Sequence, residues 1–272
     1  MNALRFALSL GIFVSTSVSA RDWTDEDLIQ DITFSCELLS QRGTVQERLA
    51  RTEQKGRGVR LKGSLTADAL LDGLRYAGTL RVVDDGAYFS VNDAQGEVLS
   101  ELIWPEFLAN DDIWISHEIE PSKSVKWLCS YRTSSGKDLL RLMEIHGLLK
   151  LLVQNLDEVA AGVKAYYAPL RRERKAPPIT VPEACYRFGV SLMRAQRMAD
   201  RSNSNSVGWR ARGSITELRD RIAIEGVNVC RSNASMEDVA RALDRITLAV
   251  AYVRGAVAPD THSSAIMLPV YK

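Results

Sequence analysis

Residues 58–66 read GVRLKGSLT and residues 208–216 read GWRARGSIT, so the chain contains two copies of one nine-residue motif. Five of the nine positions are identical in the two copies, and two more are conservative replacements. A cysteine precedes each copy at nearly the same distance, Cys36 by 22 residues and Cys185 by 23. Because self-similarity at this scale indicates a repeated structural unit, we expect two related modules.

The segments around the motif predict helices. Apolar residues recur at helical spacing after the N-cap candidate Thr24, and again over residues 69–77. From about residue 79 to 131 the sequence is β-rich, is interrupted by turn signals and has no counterpart in the second module. The expected fold is therefore mainly α, with two related disulfide-tied helical modules and a β-rich insertion in the first at about 79–131.

The N-terminal residues are typical of a secretory signal peptide. Arg5 precedes an apolar stretch, and small residues occupy the expected cleavage position at Val18-Ser19-Ala20. That stretch is shorter than the roughly 20 apolar residues that cross a bilayer, so we expect no transmembrane span after removal of the signal and a periplasmic or secreted product. The expected division is a signal peptide at 1–20, module 1 at 21–170, a linker at 171–182, module 2 at 183–258 and a loosely ordered tail at 259–272.

All four cysteines lie in the expected mature chain, which favours disulfides in an exported protein. Four cysteines allow three pairings. If the two modules descend from one ancestor, equivalent cysteines pair equivalently, which predicts Cys36–Cys129 and Cys185–Cys230. A redox or metal site is the alternative, but the sequence has no CxxC spacing.

The charge balance bears on the class of partner. The chain has 35 basic and 34 acidic residues, and loss of residues 1–20 removes one basic residue, leaving a formal charge of zero. Nucleic-acid-binding domains usually have a large basic excess, so we expect no nucleic-acid partner. Residues 22–37 are acidic and residues 171–212 are basic. This polarity is typical of a solvated charged face, with partner orientation as the alternative.

The repeated motif supplies the candidate ligand-binding residues. In an extended conformation Arg60 and Lys62 share one side of the first copy, and Arg210 and Arg212 share one side of the second. Four cations around one groove would bind a phosphate or carboxylate through charge-assisted hydrogen bonds. The alternative is a structural role, in which the motif glycines permit unusual backbone angles and its hydroxyl residues cap the next helix.

No catalytic residue and no cofactor or metal site is predicted. The sequence Ser134-Ser135-Gly136-Lys137 matches the Ser-x-x-Lys pattern of penicillin-binding enzymes, but the companion motifs of that class are missing. Aromatic residues cluster in the β-rich segment, and aromatic side chains are common at binding hot spots. Trp104, Phe107 and Trp114 are therefore candidate partner-binding residues, with packing in the core as the alternative.

The sequence CRSNASMEDV at residues 230–239 is similar to part of the helical periplasmic immunity proteins that neutralise type VI secreted cell-wall amidases. In that family a disulfide cysteine precedes a short loop and a capped amphipathic helix. The resemblance covers about 30 residues and lacks the family's glycine- and aromatic-rich segment after the first cysteine. It implies an exported, non-enzymatic binding protein of the cell envelope with a protein partner. The alternative is a small-anion or envelope-glycan ligand-binding protein or enzyme that uses the repeated cations.

Overall fold

The computed structural model describes residues 21–83, 86–104, 112–168, 177–203 and 207–259. The chain divides into two units, one formed by Asp25–Asp138 and the other by Leu139 onward together with the residues before Asp25. We call them the β unit and the helical unit. The predicted signal peptide lies outside the described residues, as do residues 169–176, which include the first half of the linker predicted at 171–182, and residues 260–272 of the predicted tail.

The described residues of the β unit form eight strands in two antiparallel sheets. Sheet A has the strand order β2-β1-β8-β7, and sheet B has the order β3-β4-β5-β6. A short 3-10 turn, Asp25–Leu28, precedes the first strand. The strands are β1 (Gln30–Arg42), β2 (Val45–Gly58), β3 (Gly63–Leu71), β4 (Leu74–Val83), β5 (Gly86–Asn92), β6 (Val98–Trp104), β7 (Asp112–Glu120) and β8 (Lys123–Thr133).

The prediction of a mainly α protein is wrong, because most of residues 30–78 form strands rather than helices. Ile32 and Cys36 fit helical spacing, but they also fit the period of two that a strand requires. In β1 this second pattern holds for Ile32, Phe34, Cys36 and Leu38, all of which are buried. The strand is paired along its length with β2 on one side and with β8 on the other. Sheet formation on both sides therefore decides the conformation of this segment.

A hairpin replaces the helix that was predicted over residues 69–77. Asp72 and Gly73 connect β3 to β4 with φ angles of 53° and 79°, values that suit the Asp-Gly turn of a two-residue hairpin. The side chain of Asp72 accepts hydrogen bonds from Arg42, 3.0 Å away, and forms an ion pair with Lys123. These contacts hold the β3–β4 turn against the turns that end β1 and begin β8.

The apolar core of the β unit lies between the two sheets. Trp127 of β8 is fully buried and packs against Gly78 of β4, where a Cβ atom would lie only 2.3 Å from the indole ring. Glycine at position 78 is therefore what lets the two sheets approach around the indole. Cys36 and Cys129 are also completely buried and face each other across β1 and β8.

The helical unit consists, in its described residues, of α1 (Leu139–Tyr167), α2 (Val181–Ser202), α3 (Trp209–Cys230) and α4 (Met236–Val257). Each helix packs against the next, and α1 also packs against α4. Leu151, Asn155 and Glu158 of α1 contact Arg194, Ser191 and Arg187 of α2, in the opposite order, so these two helices run antiparallel. The contacts of Glu225 with Arg245 and of Arg231 with Asp238 show the same for α3 and α4. No helix within the described ranges is both long enough and apolar enough to cross a membrane.

The unit boundary also differs from the expected domain division. The long helix α1 was assigned to module 1 at 21–170, but the structure groups it with the three helices that follow. Its apolar face packs against α2 and α4, so the chain changes unit between Asp138 and Leu139 rather than within residues 171–182. The described residues of module 2, at 183–258, are helical except at the two connections between helices.

The two disulfides join Cys36 to Cys129 and Cys185 to Cys230, which confirms the predicted pairing. The reason given for that pairing is wrong, because the two motif copies have different structures. Residues 58–66 end β2 and begin β3, whereas residues 208–216 begin α3. The first bridge joins adjacent strands and the second joins adjacent helices, so the sequence repeat does not correspond to a structural repeat.

Candidate functional site

The four cations of the repeated motif do not form one groove within either unit. Arg60 and Lys62 lie in the connection between β2 and β3, whereas Arg210 and Arg212 lie in the first turns of α3. The prediction that the second copy is extended is wrong, because its residues form a helix. On a helix, residues two apart point about 200° away from each other, so Arg210 and Arg212 do not share a side. The guanidinium of Arg210 instead lies 5.2 Å from the ring centroid of Trp209.

Arg60 borders a small cavity at one end of the β unit. The cavity has an empty volume of about 300 Å³ and is otherwise lined mainly by apolar residues, namely Phe34, Leu61, Val82, Val83, Gly86 and Tyr131. The rings of Phe34 and Tyr131 stack with their centroids 4.7 Å apart. Lys62 is not among the lining residues. The structure thus brings one motif cation to the rim of a shallow, mainly apolar depression.

The phenol of Tyr131 stays neutral beside this cavity. Burial and, to a smaller extent, the charge of Asp138 raise the pKa of Tyr131 to about 12, although the charge of Arg60 acts in the opposite direction. A neutral hydroxyl and a single guanidinium can orient a bound carboxylate, but they supply no general base at neutral pH. The role of Arg60 and Lys62 in ligand binding stays a prediction.

The candidate partner-binding tryptophans lie on the edge strands of different sheets. Trp114 lies between the buried residues Ile113 and Ile115 of β7, so its side chain points outward and is 54% exposed. Lys126 lies over its ring, with Nζ 4.3 Å from the centroid. Trp104 ends β6 opposite the buried Ala87, on the core side of sheet B. Phe107 lies outside the described residues, and the partner-binding role of all three stays a prediction.

Sequence reasoning missed an exposed apolar surface on the helical unit. Tyr186 and Met193 of α2 are 72% and 60% exposed, and Ile224 and Val227 of α3 are 57% and 73% exposed. We call these four residues the α2–α3 face. Tyr186 and Met193 are seven residues apart and therefore share one side of their helix. The same spacing is visible in the sequence, but only the packing of the helices shows which side faces solvent.

The α2–α3 face is held by a close contact between its two helices. Cys185 and Cys230 join the start of α2 to the end of α3. A Cβ atom at Gly226 would lie 4.0 Å from that of Phe188, which shows that the helices are in van der Waals contact one turn further along. Tyr186 is adjacent to the disulfide in sequence, and Val227 precedes it by three residues. The apolar side chains thus project from a cross-linked pair of helices.

A polar opening with an empty volume of about 470 Å³ lies between the end of α3 and the first half of α4. Three arginines border it, Arg231, Arg241 and Arg245, and we call them the arginine cluster. The remaining lining residues are Glu225, Asn228 and Asp238. The sequence does not indicate the cluster, because Arg231 comes from the connection between α3 and α4 whereas Arg241 and Arg245 come from α4.

Buried and capped carboxylates hold the cluster in place. Glu225, only 2% exposed, accepts hydrogen bonds from Arg245 at 3.2 and 3.3 Å and from Asn228 at 3.2 Å. One oxygen of Asp238 accepts from Arg231 at 3.0 Å and from Arg241 at 3.3 Å. Each guanidinium is thus oriented by a carboxylate that is itself fixed.

The charge state of Asp238 follows from its position at the start of α4. Its second oxygen accepts hydrogen bonds from the backbone N–H and the hydroxyl of Ser235, both at 2.8 Å, in a capping box. The hydrogen bonds from Ser235, followed by that from Arg231, lower the pKa of Asp238 to about 2. This carboxylate is therefore ionised throughout the physiological pH range.

Among the residues that the structure describes, no three His, Cys, Asp or Glu side chains are grouped so as to hold a metal ion. His146 is 6% exposed and lies on α1 with no hydrogen-bond partner for Nδ1 within the described ranges. Burial lowers the pKa of His146, since the charged imidazolium is poorly solvated there. No protein family, curated protein or solved structure matches this chain.

Proposed function

We propose that this chain is an exported, non-enzymatic binding protein of the cell envelope that docks another protein on the α2–α3 face. The observation that supports the proposal is the exposure of four large apolar side chains on two neighbouring helices. Exposed apolar side chains that lie together mark interaction sites, and we infer that these four form one such surface. The two disulfides fit an oxidising compartment, as an exported protein requires.

The residue types of the face favour a protein partner over a small ligand. Tyrosine and methionine are enriched at protein interfaces, where they supply large contact areas. The face is an outward surface of helices, whereas small molecules need a concave site that surrounds them. The disulfide between Cys185 and Cys230 limits relative movement of α2 and α3, which reduces the entropy lost when a partner binds.

The charges beside the face indicate the chemistry of the partner. Helices α2 and α3 together contain eight arginines and five acidic residues, a formal charge of +3. An interface selects for opposite charge around its apolar centre. The partner is therefore a protein with an apolar patch bordered by acidic side chains.

A narrower form of the proposal uses the resemblance of residues 230–239. It makes the partner a secreted cell-wall amidase, which the chain would neutralise in the manner of the immunity proteins. In support, these residues contain a disulfide cysteine, a short connection and a helix that begins with a capping box at Ser235. The broader proposal of a protein partner does not depend on the enzyme class.

The test uses matched aspartate substitutions in the full, oxidised chain. Val227→Asp and Met193→Asp place a charge in the α2–α3 face, and Leu248→Asp places one on α4 at a site of similar exposure, 59%. A protein captured from envelope extract by the wild type is purified, and its affinity for all four chains is measured. We expect saturable binding that weakens about tenfold or more in both face variants, as for hot-spot residues, and is retained in Leu248→Asp.

Equal loss in all three variants, or no loss in the face variants, would show that the partner binds elsewhere. The narrower proposal has its own readout, which is stoichiometric inhibition of peptidoglycan cleavage by the purified partner. A partner that binds the α2–α3 face without such activity contradicts the amidase assignment and leaves the broader proposal standing.

A further inference from the structure

We propose that the arginine cluster is a second binding site, separate from the α2–α3 face, that takes a phosphate group. The site consists of Arg231, Arg241 and Arg245 around the polar opening between α3 and α4. Arginine is suited to this ligand because its planar guanidinium can donate two parallel hydrogen bonds to a phosphate.

The first argument concerns hydrogen-bond donors. In the described structure Arg231 and Arg241 contact carboxylates through Nη2 alone, and Arg245 does so through Nη1 alone. A guanidinium has five N–H donors distributed over three nitrogens. Each arginine thus keeps two nitrogens without an acceptor among the described residues, and all three side chains are about half exposed at the opening. These nitrogens can donate to a ligand without breaking the contacts that orient them.

The second argument concerns orientation. Flexible arginines lose side-chain entropy when they order around a ligand, which weakens binding. Here Asp238 holds two of the guanidinium groups, and the buried Glu225 holds the third with help from Asn228. Both carboxylates are themselves fixed, Asp238 by the helix cap and Glu225 by burial. Much of the side-chain entropy of the arginines is therefore already lost before a ligand binds.

The third argument concerns charge. Three guanidinium groups and two carboxylates line the opening, and Glu237 also pairs with Arg241 from outside that lining, so the positive charge that attracts a ligand comes from the unit as a whole. Residues 139–272 as a whole contain 20 basic and 13 acidic side chains, a formal charge of +7. A field of this sign attracts anions toward the unit. A phosphate, with up to two negative charges and four oxygens, fits both the positive charge of the unit and the number of available donors.

The experiment measures binding of inorganic phosphate and pyrophosphate to the full, oxidised chain by calorimetry at low salt. Arg231→Gln and Arg241→Gln remove cluster donors while the Ser235–Asp238 cap remains, so we expect them to fold. Arg197→Gln removes the same charge from an exposed position on α2 and is the control. We expect saturable binding that weakens about tenfold in each cluster variant, as for loss of a charge-assisted contact, and less than about twofold in the control.

Two further arms identify the source of the phosphate group. Vesicles of phosphatidylglycerol are compared with vesicles of phosphatidylcholine in a sedimentation assay. Stronger binding to phosphatidylglycerol that is lost in Arg231→Gln and kept in Arg197→Gln supports a lipid headgroup as the ligand. Binding of free phosphate with no vesicle binding supports a soluble ligand.

Two results would overturn the proposal. One is the absence of saturable binding to any of these probes by a chain whose thermal unfolding is normal. The other is an equal loss of affinity in Arg231→Gln and Arg197→Gln, because it would show a general effect of surface charge. The variants of the α2–α3 face serve as a cross-check, since they should bind phosphate as the wild type does.

Discussion

The β unit and the helical unit carry formal charges of opposite sign. Residues 25–138 contain 13 basic and 20 acidic side chains, a charge of −7, whereas residues 139–272 have a charge of +7. The chain as a whole is thus nearly neutral, although each of its two parts has a large net charge. Because both proposed sites lie on the helical unit, its positive charge gives them a common preference for anionic partners and ligands.

The interiors of the two units differ as well. The β unit is centred on an apolar core between sheets, with Trp127 against Gly78. The helical unit buries polar contacts, such as the hydrogen bond from Asn155 to Ser191 at 2.7 Å and the pair of Glu225 and Arg245. Burial of apolar surface stabilises a fold whatever the orientation of the buried groups, whereas buried polar groups need hydrogen-bond partners at specific positions. The β unit should therefore respond most to loss of volume and the helical unit to loss of a partner.

The largest effect is expected from Trp127→Ala in the β unit. The substitution leaves a cavity against Gly78 and should lower the free energy of unfolding by about 3–5 kcal/mol, the usual cost of a large core truncation. Urea unfolding followed by circular dichroism measures the change. Trp114→Ala removes the same side chain from a 54% exposed position and should cost about 1 kcal/mol or less. Similar costs for the two variants would contradict the assignment of Trp127 to the centre of the core.

A slightly smaller effect is expected from removal of the helical disulfide with Cys185→Ala and Cys230→Ala. The bridge closes 45 residues, and loss of a disulfide of this kind typically costs about 2–4 kcal/mol because the unfolded chain gains freedom. Thermal unfolding of the double variant measures the cost. The variant should also bind the protein partner more weakly, since α2 and α3 are then less constrained. Unchanged partner affinity would show that the α2–α3 face does not need the cross-link.

How far the sequence predicts this structure differs between the units. Apart from residues 209–215, which were expected to be extended, the described helices of module 2 lie where helices were predicted, because amphipathic helices have long periodic patterns and recognisable caps such as Ser235. The N-terminal strands were mistaken for helices because apolar positions such as 32 and 36 fit both periods, and the pairing of β1 with β2 and β8 decides between them. The Asp72-Gly73 turn was a local signal that sequence reasoning passed over.

The sites were less predictable than the helices. Arg241 and Arg245 are one turn apart on α4, and Glu225 and Asn228 are one turn apart on α3, so each pair could be read from the sequence. The contact between the two pairs could not be predicted from the sequence, because it depends on how α3 and α4 pack. The repeated motif drew attention instead, although its two copies have different conformations. Sequence similarity over nine residues does not fix a local structure when the surrounding contacts differ.

An intermediate effect, and one that is unequal between partners, is expected for the pair of Glu225 and Arg245. Arg245→Leu leaves the buried carboxylate with only Asn228 and should cost about 2–3 kcal/mol, as for a buried charge that loses its partner. Glu225→Leu should cost less, because Arg245 is about half exposed and water can solvate it. Chemical denaturation of both variants measures the difference. A larger cost for Glu225→Leu would contradict the view that burial of the carboxylate dominates.

The smallest effect is a pH dependence of the helical unit that comes from His146. Burial, together with the charges of Lys150 and Arg254, lowers the pKa of this imidazole below 6.5, while Asp22 opposes the shift. The unfolded chain then takes up the proton first as the pH falls, so stability should decrease from pH 6.5 downward and level off below the folded pKa. Urea midpoints between pH 7.5 and 5 measure the slope, which His146→Gln should reduce and His117→Gln, in the β unit, should leave unchanged. An equal slope in wild type and His146→Gln would assign the dependence to another group.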